Sequence, residues 1–368
     1  MKWKVLINTS KSKCIHFRPS RQTRSNYKFN LGLEEIDTVE SYKYLGVIFQ
    51  EHCKFDNTAN TLSTVARRAF GSVISKLYIL KEFGFKTFMK LYEACVVPIT
   101  DYGAAIWGYK SHNSLEMIEN RAMRFLLGDH RFTSLLGMSG DSGSIPCTQR
   151  RRIKMFQLWN RLLSLDDDRL TKKVFENDFC CATSNKNWCA DMKVLFEKLN
   201  LSDYYTNKLS ININVVKSKM WTYVAESWHV KLSNSPKLRT YAVFKNEFKT
   251  ENYLVFNLPR NERSILAQFR CGVLPLRVET GRFIGEKLED RTCQMCAHNC
   301  IEDEKHFILS CSLYSDLRQY WFNEATSDLQ SSQMQDNDRL IYLMNNLPRR
   351  CAKFLTRAFL RPRNKLFN

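Results

Sequence analysis

Four residues near the C-terminus restrict the local fold of this 368-residue chain more than any other feature of its sequence. They follow the pattern Cys-x2-Cys-x9-His-x4-Cys and are Cys293, Cys296, His306 and Cys311. A Cys-x2-Cys turn directs two thiolates at one metal ion, and the His-x4-Cys segment can supply two more ligands from one helical face. Because four protein ligands close a tetrahedral shell to water, the spacing predicts a structural zinc site and not a catalytic one.

Other cysteines and histidines nearby leave an alternative open. His298 and Cys300 lie between the two ligand pairs and are second-choice ligands, because the loop would have to fold back sharply to present them. Among the 13 cysteines, Cys95, Cys271 and Cys351 lie in apolar helical patterns typical of buried free thiols. No apolar signal core follows the first residue, and no stretch reaches the roughly 18 apolar residues of a membrane span. We therefore expect an intracellular protein, in the nucleus or cytoplasm, whose Cys/His cluster binds a metal.

The charge of the chain favours a polyanionic partner. Lysines and arginines number 56 against 37 acidic residues, a formal net charge of +19. We expect RNA and/or DNA as the partner and no membrane, because the cations cluster on faces of predicted helices. The candidate phosphate-binding residues are Arg67, Arg68, Lys76, Arg121, Arg124, Arg150, Arg151, Arg152 and Lys154. For the run from Arg150 to Lys154, a solvated or salt-bridged surface is the alternative interpretation.

The hydrophobic pattern predicts an α+β fold that is predominantly α-helical. The runs KCIHF, YKFN and YKYLGVIF predict strands and turns within residues 1–56. From Asn57 apolar residues recur at i, i+3, i+4 and i+7, which predicts a long helix, and a second helix is expected over 85–97. A third is expected to start at Asn113, with a capping-box-like Asn-x-x-Glu, and to stop at Gly128.

Beyond this point the pattern is mainly helical. The Gly- and Ser-rich residues 128–146 are expected to form a loop at a domain boundary. Helices are then expected after Pro146, from His306 onward, and in the basic tail 346–368. Further helices are expected over 186–199, 215–232, 238–248 and 261–270. The resulting division of the chain is 1–56, 57–145, 146–260 and 261–368.

Several motifs together resemble the C-terminal half of a non-LTR (LINE-type) retrotransposon reverse transcriptase. In WKVLINTSKSKCIHF, the residues Asn8, Lys11, Ser12 and Lys13 fill a motif of the form N-x-x-K-[ST]-K. YKYLGVIF is similar to the hairpin that grips the primer end, with Tyr44, Leu45 and Gly46 at its centre. SILAQFRCGVLPLRVETGRF, the Cys/His string and EDEKHFILSCSLYSDLRQYWF are similar to the C-terminal zinc region of that family.

The resemblance implies a domain organisation. Residues 1–56 would be a palm remnant with a primer-grip-like hairpin, and residues 57–145 a helical thumb. Residues 146–260 would be a helical connector, and residues 261–368 a zinc-binding C-terminal module. The aromatic-x-Asp-Asp turn that holds the catalytic metals in the family is not found, and is expected upstream of the first residue. Since two-metal phosphoryl transfer needs paired carboxylates, we expect no DNA polymerisation by this chain alone.

The sequence offers no substitute for that missing centre. The acidic run at Asp166–Asp168 follows a helix and is typical of a solvated helix end. The chain is therefore interpreted as a truncated reverse-transcriptase-derived protein that binds RNA or DNA through basic helices. One alternative is the C-terminal half of an active RNA-directed DNA polymerase. The other is an inert or domesticated zinc-stabilised protein without a nucleic-acid role.

Overall fold

The computed structural model describes residues 7–80, 83–182, 186–256, 258–296, 298–322 and 334–361. These residues are predominantly helical, with a small β component of two hairpins, which confirms the α-rich class. None of the helices among these residues is long and apolar enough to cross a membrane.

Two antiparallel hairpins form the β component near the N-terminus. Their strands are β1 (Phe29–Leu31), β2 (Glu34–Ile36), β3 (Ser41–Tyr44) and β4 (Val47–Gln50). Leu45 and Gly46 join β3 to β4 with φ angles of 48° and 86°, the left-handed pair that a tight two-residue hairpin turn requires. The expected KCIHF strand is not formed, since only Cys14 makes a β-bridge there, with Thr38.

The first helical layer packs around a core of aromatic and aliphatic side chains. Its helices are α1 (Asp56–Ile79), α2 (Phe85–Cys95), α3 (Val97–Thr100), α4 (Ala104–Trp107) and α5 (Asn113–Leu127). The apolar stripe of α1 places the Phe70 ring against Phe88 of α2 and against Phe125 of α5. Gly128 ends α5 with a φ of 70°, as expected. The N-cap of α5 is His112, without a side-chain cap, so the expected capping box at Asn113 is not formed.

A second core lies among the next helices. They are α7 (Cys147–Leu163), α8 (Leu170–Cys180), α9 (Trp188–Lys198), α10 (Ser202–Thr206) and α11 (Ile213–Ser233). Trp159 of α7 is fully buried among Phe175, Phe196 and Tyr205, and its indole N–H donates to the Leu209 carbonyl at 3.1 Å. Burial of these large rings stabilises this part of the molecule.

The Gly- and Ser-rich segment expected to be a loop contains a central helix, α6 (Leu135–Ser142). A Cβ on Gly137 would lie 2.8 Å from the Cys271 Sγ atom, and one on Gly140 would lie 2.5 Å from the Trp228 ring. Both distances are too short for a carbon atom, so these glycines allow close packing of the helix. The expected loop at 128–146 is therefore wrong over Leu135–Ser142, because glycine here serves packing and not flexibility.

In the largest core, the C-terminal helices pack around α6. Its further helices are α12 (Arg239–Phe244), α13 (Asn252–Val255), α14 (Arg260–Arg270), α15 (Arg277–Phe283), α16 (Ser315–Phe322), α17 (Asp336–Asn346) and α18 (Pro348–Leu360). The buried Arg270 side chain pairs with Asp141 of α6 through two 2.9 Å contacts, and Tyr241 and Tyr253 donate their hydroxyls to the same carboxylate. This satisfied buried network fixes α6 against the C-terminal helices.

Candidate metal centre

A short loop places the first two predicted ligands, Cys293 and Cys296, beside the others. The Cys293 amide donates to the Cys300 carbonyl at 2.8 Å, and Thr292 and Ile301 form an antiparallel bridge. These bonds close the loop that carries both cysteines of the Cys-x2-Cys turn. The chain therefore does fold back sharply between Cys293 and Cys300, although the sequence made such a turn an unfavourable expectation.

A π-helical turn brings the other two ligands together. It spans His306–Ser310, and the Cys311 amide donates to the His306 carbonyl at 2.8 Å. Residues five apart on a regular α-helix are rotated by about 140°, whereas an i to i+5 turn brings them back toward one side. The regular helix expected from His306 is thus replaced by this turn, a break at Cys311 and then α16. The Asp303 carboxylate accepts the His306 amide at 2.8 Å and fixes the start of the turn.

The four predicted ligands have the separations of a single metal site. Their ligand atoms all lie within 4.8 Å of one another, so they could hold a metal ion. Cys293 Sγ lies 3.9 Å from Cys311 Sγ, and Cys296 Sγ lies 3.4 Å from His306 Nε2. Tetrahedral bonds of zinc length would separate two sulfurs by about 3.8 Å and a sulfur from a nitrogen by about 3.5 Å. The donor set and the spacing fit one tetrahedral ion.

The second ring nitrogen of His306 has its own polar neighbours. Its Nδ1 atom lies 3.1 Å from the Ser310 hydroxyl and 3.0 Å from Cys300 Sγ. A metal-bound histidine commonly donates its other N–H to such a partner, which fixes the ring orientation. Cys300 therefore lies beside the ligand set, and His298 is exposed. The sequence analysis did not identify Ser310 as a partner of His306. Its position four residues after His306 could have indicated the contact.

The contact between Cys293 and Cys311 shifts the pKa values of their thiols in opposite directions. The contact with Cys311, together with burial, raises the pKa of the Cys293 thiol to about 12, and the same contact lowers the pKa of Cys311. The guanidinium of Arg318 donates to the Cys311 carbonyl at 2.6 Å. Metal binding requires the thiolate form, which the lowered pKa of Cys311 favours.

The predicted phosphate-binding residues of α1 and α5 differ in exposure. Arg67, Arg68, Lys76 and Arg121 are exposed, and none forms an ion pair with another described residue. Arg124 is half-buried, and its Nε atom has no hydrogen-bond partner among the described residues. The first four are accessible to a polyanion.

The run from Arg150 to Lys154 is placed differently from the expectation. Arg151 is fully buried. Its guanidinium group lies over the Trp107 ring, 5.7 Å from the ring centroid. Arg150 forms 3.0 Å ion pairs with Asp101 and with Glu119. Burial opposes its charge, but these two carboxylates raise the pKa of Arg150. Arg151 is thus shielded from a phosphate, and the charge of Arg150 is paired within the protein, which is the salt-bridged alternative for this run; its phosphate-binding role stays a prediction.

The other two cations of this run are also engaged within the protein. Both Arg152 and Lys154 are half-buried. Arg152 donates to the Tyr109 carbonyl at 3.1 Å, and Lys154 lies 3.5 Å from the Asp101 carbonyl. The four cations surround the helix and do not form one exposed face.

The motif residues near the N-terminus lie on the surface. Tyr44 and Leu45 are exposed at the tip of the β3–β4 hairpin, and the Tyr102 hydroxyl donates to the Leu45 carbonyl at 2.8 Å. Gly46 packs so closely on the Tyr102 ring that a Cβ would lie 3.0 Å from it. Lys11 is exposed, and Lys13 forms a 2.5 Å ion pair with Asp37. Their primer-grip and motif roles stay predictions.

The Cys/His cluster is the one group of three or more His, Cys, Asp or Glu side chains, within the described part of the chain, that could hold a metal ion. No protein-family model, curated protein sequence or solved structure shows significant similarity to this chain.

Proposed function

We propose that the chain is a zinc-stabilised protein that binds RNA or DNA, derived from a non-LTR retrotransposon reverse transcriptase. The exposed surface of α1 carries the nucleic-acid part of the proposal. No acidic residue occurs between Asn57 and Leu80, while Arg67, Arg68 and Lys76 are exposed there. An acid-free surface with free cations attracts phosphate groups.

The neighbouring side chains on this surface suit a polyanion that approaches closely. Asn60 and Ser75 are exposed and uncharged, and they can donate to phosphate oxygens. Gly71 is exposed in the middle of the helix, and a Cβ added there would meet nothing within 4 Å. A glycine at such a position weakens the helix, but it lets a ligand approach the backbone. Contacts of this kind carry little sequence information, so binding should be nearly sequence-independent.

Zinc is the ion that the donor set favours. Three thiolates and one imidazole in a tetrahedron match a structural zinc site, with no position left for a substrate. Three negative sulfurs and a divalent ion would leave one negative charge, and the Arg318 guanidinium donates to the Cys311 carbonyl beside them. The bound ion would fix the loop at Cys293 relative to α16, so its role here is to hold the C-terminal region in shape.

The proposed ancestry rests on the sequence motifs and is supported by one structural feature. The tip of the β3–β4 hairpin at Tyr44 and Leu45 is exposed, as a hairpin that contacts a primer end would need to be, and the Tyr102 hydroxyl donates to its Leu45 carbonyl. Within this proposal the chain contributes nucleic-acid binding, and we assign no catalytic residue to it.

The salt dependence of binding tests the proposed surface. The slope of log K against log salt, measured by fluorescence anisotropy on a duplex, should be near −4 to −5 if about five phosphates are neutralised. Replacing the four exposed cations of α1 and α5 by glutamine should flatten this slope by about three units. A matched control replaces Lys173, Lys198, Lys217 and Lys219, which are exposed on α8, α9 and α11, and removes the same charge.

The two variants separate local contact from net charge. A control slope within about one unit of the parent's supports contact at the α1 and α5 cations. Equal slopes in the two variants would mean that only the overall charge matters. Binding that does not respond to salt would reject the nucleic-acid proposal and favour a zinc-stabilised protein without this role.

A further inference from the structure

A groove between α16 and α18 combines aromatic rings with cations. It encloses about 780 Å³, within the range of small-molecule and nucleotide sites. Tyr320 and Trp321 line one wall, and Arg349 and Lys353 line the other. Tyr320 is 76% exposed, so its ring is available to a ligand.

The cations of this groove have no acidic neighbour on their own helix. The sequence from Pro348 to Leu360 contains no Asp or Glu. Arg349, Lys353 and Arg357 are exposed at i, i+4 and i+8, which places them about 6 Å apart along one side of α18. Asp316 also lines the groove, but its carboxylate is paired with Arg361 through a 2.9 Å contact. The groove is therefore positively charged.

The two walls are held together by packing that includes the candidate metal centre. Arg361 joins α18 to the start of α16 by donating to the Leu313 carbonyl at 2.7 Å. Phe354 of α18 packs against Phe307 of the π-helical turn and against Phe322 of α16. These contacts hold α16 and α18 against each other.

We propose that this groove binds single-stranded RNA or DNA, with a base stacked on Tyr320 and phosphates on Arg349 and Lys353. The inference rests on the proposed nucleic-acid binding but uses a second site, distinct from the cations of α1 and α5. An unpaired base can lie flat on an exposed ring, whereas the bases of a duplex cannot. Lys353 already lies over the Trp321 ring, with its Nζ 5.4 Å from the centroid, which leaves Tyr320 as the stacking surface.

Two oligonucleotides with the same number of phosphates test the site. One is a 12-residue thymidine strand, and the other is an abasic strand of equal length. The parent protein should prefer the thymidine strand by roughly 5- to 150-fold, as expected for one stacked base. Tyr320→Ala should remove this preference without changing affinity for the abasic strand. Tyr320→Phe should keep it, because stacking does not need the hydroxyl group.

A matched control and a charge variant complete the experiment. Tyr27 is also exposed, and its ring lies 4.8 Å from a neighbouring ring, the same distance as between Tyr320 and Trp321. Tyr27→Ala should keep the preference. The double variant Arg349→Ala, Lys353→Ala should lower the affinity for both strands by the same factor. It should also flatten the slope of log K against log salt by about 1.4 units.

The outcomes distinguish the two proposals. Equal parent affinity for both strands, or a preference that survives Tyr320→Ala, would overturn the inference and leave the α1 and α5 surface standing. Failure of the parent protein to bind either strand or a duplex would reject the nucleic-acid function itself.

Discussion

Cys296 and Cys300 both approach His306, but each lies nearest to a different ring nitrogen, and Cys300 Sγ also lies 3.8 Å from Nε2. Cys296 faces Nε2 and the other ligands, whereas Cys300 faces Nδ1. We predict that Cys296→Ser loses zinc and unfolds the segment around the site, because structural zinc contributes roughly 10–16 kcal/mol in small modules. Cys300→Ser should retain one zinc per chain. Metal content after dialysis checks both variants, and the reverse pattern would make Cys300 a ligand in place of Cys296.

Arg150 illustrates a residue whose role depends on distant partners. Its ion-pair partner Asp101 has a side chain that is 0% exposed, and the two are 49 positions apart in the sequence. We predict that Arg150→Ala destabilises the protein by about 3 kcal/mol, since it leaves a buried carboxylate without its cation. The exposed Arg121→Ala should change stability by less than about 0.5 kcal/mol. Urea unfolding followed by tryptophan fluorescence compares them, and equal midpoints would contradict the structural role of Arg150.

These residues show which parts of a site the sequence can predict. The metal ligands were predictable because their spacing is short and local, and the structure brings all four together. The burial of Arg150 and Arg151 was not predictable from the sequence. Their neighbours Asp101, Glu119 and Trp107 come from other parts of the chain. A run of cations has the same pattern whether it faces solvent or a core.

Helices α1 and α6 show the same contrast. The apolar stripe of α1 repeats over a long segment, so periodicity alone predicted its extent. Helix α6 was expected as a loop, because glycine and serine are typical of turns. Its glycines are required by contacts that are remote in the sequence, such as the Trp228 indole, which donates to the Leu136 carbonyl at 2.8 Å.

Gly71 on α1 allows a test that separates helix stability from binding. Its position is exposed and open, so Gly71→Ala should stabilise the helix by roughly 0.5–1 kcal/mol. If nucleic acid approaches the backbone there, the same change should lower affinity despite the gain in stability. Thermal unfolding and anisotropy titration measure the two effects. Increased stability with unchanged affinity would show that the polyanion does not contact this turn of α1.

The packing of the molecule differs from its expected division into sequential parts. Residues from α6, from the end of α11 and from α12 to α18 share one hydrophobic core with the Cys/His loop. This core contains residues from both sides of the expected boundaries near 145 and 260. Such a grouping could not be predicted, because composition and periodicity report local structure and not which distant segments pack together.

This arrangement predicts how metal removal spreads through the protein. Phe307 and Tyr314, on either side of Cys311, pack on Phe354 of α18, so loosening the site should loosen α16 and α18 as well. The cores around Phe70 and Trp159 contain no metal ligand. Hydrogen–deuterium exchange after chelation should therefore rise in peptides covering 291–322 and 348–361. Exchange in α1, α5 and α7 should stay within about two-fold of the metal-bound protein, because their cores keep their packing. A uniform rise across all helices would mean that the metal supports the whole molecule, and no rise near Cys311 would remove its structural role.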